Sequence, residues 1–138
     1  MALQDDTTHA LLDLLLGTSG VLPATVYIGL MTQAPAADGT GVLEPGGFGY
    51  ARVAVTNDVA NWPAASNREK AHANDIVFPA AAGGSWGIIT HAGIFTTSTL
   101  GAIRAVYTLD SPRSVLDGDI FRFLAASNPA RFSLPYSV

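Results

Sequence analysis

The chain predicts an all-β fold, an antiparallel β-sandwich or jelly roll of about seven or eight strands with one short N-terminal helix. Three observations lead there. Short β-branched and aromatic runs recur between Gly, Pro and Asp-Gly breaks. Beyond residue 20 no helical pattern separates these runs, which disfavours a parallel sheet built from strand–helix–strand units. The 138 residues hold 14 glycines and 8 prolines, enough chain for one domain and enough breaks for many turns.

The elements follow in order. Residues 7–16 read as a helix, with Asp5, Asp6 and Thr7 as capping candidates whose charge suits the positive end of the helix dipole. Leu11, Leu12, Leu15 and Leu16 share one broad face, and Gly17 supplies a stop. Three turns are too few to stand alone, so this helix docks either on its own domain or on a partner subunit. The run 24–31, Ala-Thr-Val-Tyr-Ile-Gly-Leu-Met, is a strand, and residues 33–47 are a Pro-, Gly- and Ala-rich loop. In 50–56, Arg52, Ala54 and Thr56 alternate with Ala51, Val53 and Val55. A second loop over 57–74 holds Trp62 and the cluster Arg68, Glu69, Lys70. A short strand, 75–78, stops at Pro79. Residues 88–95 and 102–109 form a strand pair around a turn at 98–101. Asp117-Gly118 turns the chain into a strand at 120–124. Residues 131–134 are a last strand or part of an extended tail. The whole is one domain, 1–138, divided into an N-terminal helical arm (1–17), the sandwich (20–127) and a C-terminal extension (128–138).

Composition removes several function classes. Charged residues make up 13% of the chain, against about 25% in an ordinary soluble domain. Apolar residues make up 49%, which excludes an intrinsically disordered chain. The absence of cysteine excludes a disulfide scaffold and a thiolate zinc fold. Seven Lys plus Arg against eleven Asp plus Glu, net −4, argue against a nucleic-acid partner. No apolar run approaches a membrane span. Asp5 and Asp6, where a signal peptide would be basic, point to cytoplasmic synthesis without a signal peptide.

No reaction centre is visible. His9, His72 and His91 share no metal-ligand spacing. Asp110, Asp117 and Asp119 lack the EF-hand pattern, and beside glycine and proline they read as turn chemistry. Glycines 39, 41, 46, 47 and 49 precede a strand and not a P-loop helix, and no serine sits in a nucleophile elbow. The expectation is a non-enzyme without cofactor or metal. The residues singled out are apolar. Leu11, Leu12, Leu15 and Leu16 on the helix and Phe132, Leu134 and Tyr136 in the tail are the candidate partner-binding arms. Phe48 and Trp62 in loops are second choices. The tail packs within its own domain or against a neighbour.

Several segments occur in a telling order: residues 23–35, Pro-Ala-Thr-Val-Tyr-Ile-Gly-Leu-Met-Thr-Gln-Ala-Pro; 49–56, Gly-Tyr-Ala-Arg-Val-Ala-Val-Thr; Ile-Val-Phe-Pro at 76–79; Trp86-Gly87; and Thr-His-Ala-Gly-Ile-Phe at 90–95. Over about residues 8–125 the chain resembles a family of small virion proteins of tailed bacteriophages. Members are often labelled tail-fibre proteins, and similar small β-sandwiches act as capsid cement or decoration. The loop at 36–48 is longer than the family pattern, and residues 128–138 extend beyond it. The resemblance implies a structural virion protein made in the bacterial host. The first expectation is a capsid cement protein that stabilises the major capsid protein lattice and contacts copies of itself. The alternative is a tail-fibre or adaptor component, and a more distant one a carbohydrate-binding module or small jelly-roll enzyme.

Overall fold

The computed structural model describes residues 2–16, 23–66, 69–125 and 131–133. Ten elements follow one another: β1 (Ala2–Leu3), α1 (Asp5–Leu15), β2 (Thr25–Met31), β3 (Val53–Thr56), β4 (Glu69–Ala71), β5 (Ile76–Ala80), β6 (Gly87–Phe95), β7 (Ile103–Val115), β8 (Ile120–Phe123) and β9 (Arg131–Ser133). The main sheet runs β1-β7-β6-β2-β3, with every neighbouring pair antiparallel. Among the described residues two further antiparallel pairs, β5-β8 and β4-β9, lie outside this sheet. The all-β sandwich with one short N-terminal helix is therefore present.

The core lies between the main sheet and the β5-β8 pair. Alternation puts Val26, Ile28 and Leu30 of β2 on one face, and the irregularity between Ile89 and His91 brings both Ile89 and Ala92 of β6 to that same face. Ile76 and Phe78 of β5 and Phe121 and Phe123 of β8 meet them from the second layer. The aromatic rings mostly meet edge to face, Phe78 on Phe121 at 5.9 Å and Phe121 on Phe123 at 5.2 Å between centroids. The reverse face of the main sheet carries a smaller cluster of Met31, Phe95, Ile103 and Val106. Val42, from the long 32–52 connection, covers it.

Several boundaries differ from the sequence reading. The helix begins at Asp5, two residues early, because Gln4 donates to the Arg104 carbonyl and Asp5 to that of Ala37, which fixes its entry. Gln4 is the N-cap and makes no side-chain cap, so Asp5 and Asp6 lie in the first turn and do not cap it. Gly17 lies outside the described residues. The predicted 57–74 loop contains β4, whose partner is β9, so residues 131–133 are a strand. β7 runs to Val115 and not to Leu109. Between the pairs His91↔Thr108 and Ile89↔Arg113, four residues of β7 (109–112) face one of β6, a bulge that obscures the strand pattern.

Candidate assembly surface

Asp117, Asp119 and His72, singled out above, are engaged in holding the fold. Asp117 accepts the Gly83 N–H at 2.8 Å and Asp119 that of Leu116 at 2.9 Å, the turn chemistry expected of them. His72 is buried, with Nδ1 2.7 Å from the Asn74 carbonyl and its ring against Trp62 and Phe123. His91 sits on the reverse face beside Thr90 Oγ1 at 2.7 Å, and burial lowers its pKa. Among the described residues no group of three His, Asp or Glu side chains is placed to hold a metal ion.

One polar cluster is built with unusual care. Arg52 donates through Nε and Nη2 to both oxygens of Glu44, at 2.9 and 2.6 Å, a bidentate pair with the arginine side chain only 5% exposed. Its Nη1 donates to the carbonyls of Thr97 and Leu100, at 2.8 and 2.7 Å, and its guanidinium lies 3.5 Å from the Phe95 ring centroid. Tyr50 donates its hydroxyl proton to Glu44 at 2.7 Å and accepts the Leu30 N–H at 2.8 Å. Burial first, then the Glu44 carboxylate, pushes the Tyr50 phenol far above its ordinary pKa. The cluster pins the 32–52 connection and the β6–β7 turn to the sheet. It is a structural clamp.

Apolar side chains left in water carry more information. Leu11, Leu12 and Leu16 of the α1 region are 42%, 50% and 77% exposed. Phe48 is half exposed and adopts φ +50°, while its carbonyl accepts Trp86 Nε1–H at 3.0 Å. Two non-glycine residues among those described adopt positive φ, Phe48 and Leu100, and both are exposed and apolar. Trp62 corrects the sequence reading. At 6% exposure it belongs to the main core, with its indole edge to face against His72. It offers no surface to a partner. Phe132 is paired through its backbone with Lys70; Leu134 and Tyr136 lie outside the described residues, as does the Leu15 side chain.

A groove of about 470 Å³ opens between β7 and β8, lined by residues that include Tyr107, Leu109, Asp110, Arg113, Ile120 and Arg122. The turn at 116–119 joins the two strands, yet β7 stays in the main sheet while β8 pairs with β5, so the strands diverge and the sandwich is open on this side.

The family model described as podophage GP4 fiber I protein gp80 matches residues 2–128. The chain belongs to that family. No curated protein matches it in sequence. Membership of the gp80 family makes the chain a structural component of a phage virion, and the description is that of a fibre protein, not of a capsid decoration protein.

In this gp80-family chain the sequence reading singled out Leu11, Leu12, Leu16 and Phe48, which are exposed, and did not single out the outer face of β8. Ile120 and Leu124 point outward there, 47% and 36% exposed, while Phe121 and Phe123 point in. The signal was in the run Ile-Phe-Arg-Phe-Leu at 120–124, where alternation puts Ile120 and Leu124, with Arg122 between them, on the face opposite Phe121 and Phe123.

Proposed function

We propose that the chain is a tail-associated building block of a podophage virion, of the fibre type, which acts by binding other virion proteins, copies of itself among them. The observation that carries this reading is the leucine stripe of α1. An 11-residue helix on an edge of the fold keeps Leu11, Leu12 and Leu16 in water, where a monomer would place polar residues. The low charge supports it, since stable interfaces are depleted of charge at their centres. The family description favours a fibre over the capsid cement role and its major capsid protein partner. The chain does no covalent chemistry in this reading; its work is mass action, stabilising an assembled state that it binds and the free subunits do not offer.

The test is copy number and position in purified particles. Quantitative mass spectrometry of virions, followed by separation of heads from tails, should find a few to a few dozen copies, travelling with the tails. Hundreds of copies on the heads would restore the cement role. Absence from particles would end both readings. Leu11→Glu with Leu12→Glu should fold normally and reduce incorporation.

A further inference from the structure

We propose that the free edge of β3, with the small polar pocket beside it, receives an extended segment of a different virion protein, which pairs with β3 and places one lysine or arginine side chain against Asp75. The inference rests on the assembly reading and deepens it by naming the chemistry of one partner; the surface is argued from its own geometry.

β3 closes one side of the main sheet, and among the described residues its one partner strand is β2. The Asn57 N–H donates to the Ala24 carbonyl, so in this antiparallel register Val53 and Val55 turn their backbone groups toward β2. Those of Ala54 and Thr56 then point away from the sheet, and no described residue bonds them. A free strand edge is a template for another chain, and native sheets blunt theirs with charge, proline or a bulge. β3 carries none of these devices. Its run Val-Ala-Val-Thr is uncharged, lacks proline and pairs with β2 without a register shift. Val53 and Val55 pack on the core and fix the edge in place, while Ala54 and Thr56 are exposed.

The pocket chooses the occupant. It has a volume of about 200 Å³, that of about seven waters in the liquid, which is room for one long side chain. β3 forms one wall, and Asn61, His72, Asn74 and Asp75 line it with Ile76. Asp75 accepts the Ala125 N–H through Oδ1 at 2.9 Å, and its Oδ2 accepts no hydrogen bond from the described residues. Asp58 accepts both the N–H and Nδ2 of Asn61 at 2.9 Å, which sets a second negative charge next to the lining. No lysine or arginine lines the pocket, and Arg52, just before β3, is turned to Glu44. A cation entering there meets an acceptor and no like charge; a carboxylate or phosphate meets the converse. In strand addition the main chain supplies affinity, and a pocket beside the edge supplies specificity through alternate side chains.

The experiment uses the full chain, isotope-labelled for amide NMR, and a heptapeptide with blocked ends, Ser-Thr-Val-Lys-Val-Thr-Ser. The amide signals of Ala54 and Thr56 should shift and saturate at millimolar peptide. Norleucine in place of the lysine should weaken binding about ten-fold, the effect of one charge-assisted hydrogen bond, and glutamate there should abolish it. Asp75→Asn keeps an oxygen for the Ala125 N–H; it should bring the lysine peptide to the norleucine level with an unchanged melting curve. Should that variant not fold, the peptide series decides alone. Methylating the peptide nitrogens along one edge should abolish binding, and along the other edge leave it intact. Ala54 and Thr56 signals that the lysine peptide leaves unmoved overturn the proposal. So does equal binding of the norleucine and lysine peptides, or methylation that acts alike on both edges. Shifts at these residues with maltose and none with the peptide would make the pocket a sugar site and overturn it too. The virion role is judged separately by copy number in particles, so one can fail while the other stands.

Discussion

Tyr50 shows how much of this fold hangs on single polar atoms. Its hydroxyl stands between the Leu30 N–H and the Glu44 carboxylate, and Glu44 in turn holds Arg52. Tyr50→Phe leaves a backbone donor of the interior strand β2 without its acceptor, a loss of about 1–3 kcal/mol for a buried group. Urea denaturation at neutral pH should show it. The pH dependence has a definite sign. The folded phenol titrates well above the unfolded value of about 10, so below that pH both states are protonated and the contribution is fully present. As the pH rises past it, the unfolded state releases a proton that the folded state retains, and stability falls. The wild type should therefore weaken in alkali more steeply than Tyr50→Phe. Equal slopes would place the hydroxyl in water and not in the clamp.

At the scale of elements, what the sequence made legible follows from which forces are local. β3 was readable because alternation imprints a period of two on the residues themselves, and β2, β6 and β8 because β-branched and aromatic runs between turn signals mark a strand locally. β1 and β4 have two and three residues, and their pairing comes from Ala105, Val106 and the 131–133 strand, far away in the chain; no local pattern encodes that. β7 beyond Thr108 was hidden by its bulge, and Trp62 was misplaced because a loop residue's burial depends on where the loop closes. The apolar stripe of α1 was visible, while the groove arises from two strands parting into different sheets, which only the assembled topology reveals. Gly29 illustrates a constraint of the same kind. It pairs with Gly93 at the centre of the main sheet, and a Cβ there would lie 2.7 Å from Glu44 Oε1 and 2.7 Å from the Phe95 ring. Gly29→Ala should cost about 1–3 kcal/mol by overpacking, read as a lower melting temperature. A shift within about 0.5 kcal/mol would mean the clamp yields without resistance.

For the whole molecule, the scarcity of charge has a consequence for how the protein responds to its surroundings. Among the described residues one ion pair, Arg52 with Glu44, is closely formed, and its arginine is 5% exposed. Screening acts on exposed charges and barely reaches a buried pair. The remaining charges are few and scattered, with a net −4 over 138 residues, so mutual repulsion is small. Cohesion therefore comes from the aromatic and aliphatic core between the two layers and from backbone pairing. Neither depends strongly on ionic strength. Raising sodium chloride from about 0.1 M to 1 M shortens the Debye length from about 10 Å to 3 Å, yet the unfolding free energy should move by no more than about 0.5 kcal/mol, within the range of marginal surface effects. Guanidine-free denaturation, with urea at each salt concentration, measures this without adding ions. A change several times larger would show that surface charges carry the fold, and the low charge of the exterior would then have to be explained by something other than contact with neighbouring proteins.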